Sequence, residues 1–135
     1  MMPHSSLAIG TAVVAGAVLG SLADWLFAGV LFHDRYRRYP EIWRDGVGDR
    51  GRIIAAQALS VLTSATFVML ALRLGKTDLS GAVKLAVAIW LIAPLPMLVV
   101  NHMFIKIDAL VTASHAVGWL VKLLLIAGAV TVLLR

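Results

Sequence analysis

Apolar residues run in four long blocks, from about Leu7 to Phe32, Ile53 to Leu72, Leu85 to Phe104 and Leu110 to Leu134, with polar residues gathered between them. None of the blocks alternates with the two-residue rhythm of a half-buried strand, and each approaches or exceeds the roughly 20 residues a helix needs to cross a hydrocarbon core about 30 Å thick. In lipid the backbone must satisfy its own hydrogen bonds, which leaves helices or a closed barrel, and unbroken Ala- and Leu-rich runs fit helices. The pattern therefore predicts an all-α polytopic membrane protein, with four transmembrane helices in one bundle forming a single domain over residues 1–135. The stretch ahead of Leu7, Met-Met-Pro-His-Ser-Ser, has neither Lys nor Arg, so the first block reads as a retained span and not as a secretory signal. Composition agrees: 61% of residues are hydrophobic and 14% charged, against about 45–50% and about 25% in an ordinary soluble domain.

The connections carry most of the charge. Residues 33–52 read HDRYRRYPEIWRDGVGDRGR, with six Arg among four acids and with Tyr36, Tyr39 and Trp43 interleaved. Aromatic rings and guanidinium groups together belong at the level of lipid headgroups, and Arg35, Arg37, Arg38, Trp43 and Arg44 are the candidates for that contact. Pro40 followed by Glu41 can open a short helix lying on the membrane surface. The turns around Gly75–Gly81 and Ile105–Ala109 are tight, which makes helices two to four expected antiparallel neighbours. The six Arg and Lys106 fall on one side of the four spans, and Arg73, Lys76, Lys84 and Arg135 on the other. The positive-inside rule then puts the loop 33–52 on the cytoplasmic side of a bacterial inner membrane and both termini outside. The net charge of +5 sits beside apolar spans, which points to membrane lipids as partners and not to nucleic acid.

Two features lie inside the spans. Ala8, Ala12, Gly16, Gly20, Asp24 and Ala28 recur every fourth residue on the first helix. Such a row of small residues lets a second backbone approach closely, and Ala12, Gly16 and Gly20 are the expected helix-packing positions. A homo-oligomer formed through this face is the expected assembly. The second feature is a set of polar residues at similar depth: Asp24, Gln57, Asn101, His102 and His115 fall in the same leaflet, with Lys122 near the middle of the fourth helix. A charge at such depth costs about 2.5–3.5 kcal/mol or more unless it is paired or wet. Asp24 is the only acid in any span and hence the natural partner of Lys122, while His115, Trp119 and Lys122 share one helix face. Pro94 and Pro96 interrupt the third helix and mark a candidate hinge, freeing carbonyls that a lysine ammonium could also satisfy. Ser60, Thr63, Ser64 and Thr66 make a hydroxyl ridge on the second helix.

Several classes fall away. There is no cysteine, hence no disulfide and no thiolate chemistry. His102 and His115 lack the further ligands of a metal or haem site, so no metal and no cofactor are expected. Ser114, His115 and Asp24 contain the residue types of a triad, but neighbouring helix positions point about 100° apart, so Ser114 cannot easily bond His115. No phosphate loop, HExxH or nucleophile elbow occurs, and no enzyme and no catalytic residue is expected.

The first helix ends Gly20-Ser-Leu-Ala-Asp-Trp25-Leu-Phe-Ala-Gly-Val-Leu-Phe32, with Trp43 beyond it. The third and fourth read Gly81…Trp90…Asn101-His-Met-Phe104-Ile-Lys…Leu110…His115…Leu123…Gly128-Ala129. In these features the chain resembles the bacterial integral membrane family catalogued as domain of unknown function seventeen-sixty-one, over nearly its whole length. The resemblance implies a short four-helix fold and a membrane location; it carries no activity and no site residues. From the residues themselves, the expected function is a transporter-like or permeability-related bundle built on the Asp/His/Lys cluster, with the substrate open. The alternative is a non-catalytic membrane scaffold or accessory subunit that self-associates through the small-residue face.

Overall fold

The structure, a computed structural model, describes residues 4–34 and 50–134. Arg35, Arg37, Arg38, Trp43 and Arg44, the candidate headgroup residues, lie outside them. The described residues are helical and contain no strand. Four helices are long and apolar enough to cross a membrane: Ser6–Leu31, Arg50–Arg73, Leu79–Phe104 and Ala109–Leu133. The hydropathy pattern located all four.

Four of the boundaries have a clear local cause. Ser5 opens the first span by accepting the Ala8 N–H on its hydroxyl at 3.2 Å, and Asp108 opens the fourth by accepting those of Leu110 and Val111. The second span ends in a Schellman motif. Gly75 takes the left-handed conformation (φ 63°), and the Gly75 and Lys76 N–H groups close onto the carbonyls of Leu72 and Ala71. The third span begins six residues before its apolar block, because Asp78 caps it by accepting the Gly81 N–H at 2.9 Å. That bond holds the Asp78 carboxyl below its ordinary value of 3.8.

Two spans are not single α-helices. The first is α-helical over Ser6–Asp24 and π-helical over Trp25–Leu31. The third divides into Leu79–Ile92 and Pro94–Phe104 about Ala93, whose φ and ψ of −126° and −69° lie off the helical values. Proline disfavours helical backbone in the residue before it, and in the first turn of a new helix its missing N–H costs nothing. The break therefore falls where Pro94 and Pro96 predict it, as a stop and a restart.

The fourth span is the hub, packed along the first and the third, while the second lies on the first. This corrects the expected succession of neighbours for the second and third spans. Though joined by a short turn, they leave a groove of about 260 Å³ between Thr63, Thr66, Phe67 and Leu70 on one side and Ile89 on the other. All four spans contribute to one core, from Ala12, Phe67, Val68, Ala71, Ala82, Ala86, Leu123, Ile126, Ala127, Val130 and Leu134. It occupies the end of the bundle that holds the 72–79 turn, so the polar residues of the opposite end lie outside it.

Candidate functional site

The first and fourth spans meet through two rows of residues, each repeating every fourth position. The first-span row is the one anticipated, Ala12, Gly16, Gly20 and Asp24. Facing it is Ser114, Gly118, Lys122 and Ile126, all buried. A side-chain carbon at Gly16 would fall on the Ser64 hydroxyl and within 3.2 Å of Ile126, and one at Gly20 would lie 3.1 Å from Lys122 Cγ and Cε. Close approach is thus the reason for both glycines. The second span completes the contact, since Ser64 and Ser60 donate their hydroxyls to the Val13 and Ala17 carbonyls at 2.8 and 3.3 Å. The small-residue face is consequently filled within one chain. The neighbours it meets there are Ser60, Ser64, Lys122 and Ile126 of the same molecule.

The vacancy at Gly20 accommodates the lysine stem. Lys122 runs across Gly20 and delivers its ammonium one turn further on, where it donates to Asp24 Oδ2 at 2.6 Å. The same ammonium stands 5.1 Å from the Trp119 ring centroid, within range of a cation–π attraction. Carboxylate and indole together form a seat for an alkylammonium, filled by the protein's own. The two partners are unequally covered: the Lys122 side chain is 6% exposed and that of Asp24 51%.

What Asp24 faces is a cavity of about 240 Å³, lined by Asp24, Phe27, Ala28, Ala56, Ser114, His115, Gly118 and Trp119. The π-helical turn shapes one wall. Its wider hydrogen bonding, seen in the 3.1 Å bond from Phe32 N–H to the Phe27 carbonyl, advances the side chains out of α-helical register. Phe27 then packs on Gly118, close enough that a side-chain carbon there would lie 3.4 Å from its ring, and stacks on Phe32. Ser114 forms another part of the wall. Its hydroxyl is buried and has no hydrogen-bond partner among the described residues, a condition that ordinarily costs about 1–3 kcal/mol. Lys122 is not among the lining residues, so the charged group the cavity presents is the carboxylate.

The six expected polar residues divide. Asp24, His115 and Lys122 come together. Gln57 instead accepts the Ser21 hydroxyl across the first and second spans, in an apolar groove of about 390 Å³. His102 closes the turn between the third and fourth spans, its Nδ1 3.1 Å from the Ile107 carbonyl oxygen and 3.4 Å from Thr112 Oγ1. Asn101 lies beside it in the chain, half-buried, and neither lines the cavity. Spacing along a helix fixes depth, and these residues share depth but point in different directions around the bundle. Nor does the lysine serve the proline break: its ammonium goes to Asp24, and the third span is tied to the fourth by Trp90 Nε1 donating to the Ala116 carbonyl at 2.8 Å. Phe27, Ser114 and Gly118 were missed as site residues. The row Ser114–Gly118–Lys122–Ile126, complementary to the first-span row, was the signal for two of them; nothing in the pattern announces the π-helical turn that brings Phe27.

Comparison with known protein families places the chain. The model of the family described as protein of unknown function (DUF1761) matches residues 11–131, which takes in all four spans. No curated protein and no solved structure matches the chain.

Proposed function

We propose, for a chain that belongs to the DUF1761 family and so inherits a fold but no assigned activity, that it is a small transporter-like or permeability-related bundle. Its working part is the cavity lined by Asp24 and His115, with Lys122 behind it as the partner of Asp24. The observation that carries this reading is the half-exposed carboxylate. An Asp two turns inside a span is not stable against acyl chains, and only one of its oxygens is taken by Lys122. The open side of Asp24 therefore looks onto water or a polar solute. Asp24 and Lys122 form the titratable pair, His115 on the wall is the proton partner, and Pro94–Pro96 is the hinge. The protein is non-enzymatic, with lipids as its surroundings: large apolar side chains such as Ile92, Phe104 and Val132 point outward over the bundle. The excess of Lys and Arg around residues 33–52 and Lys106 supports a cytoplasmic position for that end in a bacterial inner membrane, with the termini outside.

The test is proton flux. In liposomes with an internal pH dye, under an imposed potential and, separately, under an opposed gradient of a small organic cation, the protein is expected to speed proton movement several-fold over protein-free vesicles in at least one of the two. Asp24→Asn is expected to return the rate to that of bare lipid. An unchanged rate in the wild type under both conditions, or a variant that conducts equally well, would contradict transport. The pair would then be architecture, and the protein an accessory subunit or scaffold using a surface other than the filled small-residue face.

A further inference from the structure

The cavity beside Asp24 has the chemistry of a cation site, and we infer that it binds a small hydroxyalkylammonium ion, a quaternary amine of choline's size and kind, in exchange for the proton of Lys122. This deepens the proposed function by naming its substrate class, and it rests on that reading for transport but not for binding.

Three observations converge. First, the charge presented to the cavity is negative: Asp24 lines it and is half exposed, whereas the Lys122 ammonium is covered. An anion would meet the carboxylate, a cation complements it. Second, the walls include the rings of Phe27 and Trp119, and aromatic faces attract quaternary ammonium groups. The protein's own Lys122 ammonium already uses this combination of carboxylate and indole, at 2.6 and 5.1 Å; a quaternary ion, which has no N–H to donate, would keep the charge and cation–π parts of that contact at longer range. Third, Ser114 contributes to the same cavity wall, and its hydroxyl, covered and without a partner among the described residues, would reach the polar end of a ligand by turning about its Cα–Cβ bond. The volume of about 240 Å³ lies below the roughly 300–1,000 Å³ of pockets for drug-sized molecules, which selects a small ion.

Charge balance supplies the exchange. With Lys122 protonated, Asp24 is already neutralised, and a second cation would leave an uncompensated positive charge within the span, a costly state. The Lys122 ammonium restores neutrality by releasing one proton, its nitrogen keeping the bonding electron pair, and the proton passes to water, with His115 on the wall as an intermediate acceptor. No other bond forms or breaks: one quaternary ion enters and one proton leaves. The ionisable groups of the spans around Lys122 are few. The first span offers Asp24, the second has none between Arg52 and Arg73, the third has Lys84 and His102 towards its two ends, and the fourth has His115.

Choline binding measured by titration calorimetry on the full chain in phosphatidylglycerol nanodiscs tests this directly, since choline itself does not titrate near neutral pH. Buffers of different ionisation enthalpy count the protons released. The expected result is saturable binding, close to one proton released per choline, and an apparent Kd that falls towards tenfold for each unit rise in pH. Lys122→Met should bind choline with no proton release and no pH slope. Asp24→Asn combined with Lys122→Met, which strands no ammonium and so protects folding, should lose binding at least tenfold. Absence of saturable wild-type binding, binding without proton release, or retention in the double variant would each overturn the inference. Binding with proton release in a protein that moves no protons across vesicles would leave the site standing and remove only the transport reading.

Discussion

Asp24 carries two burdens, since it neutralises a buried ammonium and presents an open oxygen to a cavity. Removing its charge leaves Lys122 covered by protein without a counter-ion. Breaking a buried pair from one side costs roughly 3–5 kcal/mol, and the half-exposed position of Asp24 puts Asp24→Asn at the low end, about 3 kcal/mol. Removing both charges by Asp24→Asn with Lys122→Met should recover most of that loss, because the methionine chain can lie across Gly20 as the lysine stem does. Reversible unfolding in mixed micelles checks this through a double-mutant cycle. A coupling near zero would mean that the 2.6 Å contact contributes nothing to folding. The charges were legible in the sequence as residues that need each other, since one acid and one lysine inside the spans leave little choice. The Ser114 hydroxyl was not, because a serine in a span is ordinary until its surroundings show that no acceptor or donor reaches it.

At the scale of the helices, interlocking small-residue rows set how near the first span comes to the fourth and second. The glycines differ sharply in what surrounds them. Gly16 has the Ser64 hydroxyl and Ile126 against it, while Gly10 on the same helix has nothing within 4 Å. Gly16→Ala is accordingly expected to destabilise the bundle by about 1–3 kcal/mol through overpacking. Gly10→Ala should be neutral or slightly stabilising by helix propensity. Ser64→Ala, which costs about 1 kcal/mol by deleting its bond to Val13, should cost less in the Gly16→Ala background, where it relieves the collision. Equal effects at Gly10 and Gly16 in the same unfolding assay would refute the row-to-row account. The four spans could be read from hydropathy, because a bilayer demands long apolar helices whatever their packing. Packing partners could not. A small-residue face states that something comes close without stating what, and the answer lay in the matching row at Ser114–Ile126 and in the hydroxyls of the second span. The start of the third span was hidden for a different reason: Lys84 ended the apolar block, whereas the backbone obeys the Asp78 cap.

Across the whole molecule the bundle is polarised. The end with the 72–79 turn holds a continuous apolar core, and the other end holds the Asp24 cavity, with the second span exposed over Gly51–Leu59. A bundle closed at one end and polar at the other is suited to admitting a solute from one side, which in the proposed orientation is the cytoplasmic one. Everything functional in this account depends on water reaching Asp24. The most direct measurement is water-edited solid-state NMR on the chain in lipid bilayers, following how fast water magnetisation reaches individual side chains. Transfer to Asp24, whose side chain is half exposed, is expected to be nearly as fast as to the exposed turn residue Lys76, and far faster than to the outward-facing Ile92. Transfer to Asp24 as slow as to Ile92 would show a dry, lipid-sealed pair and contradict the account.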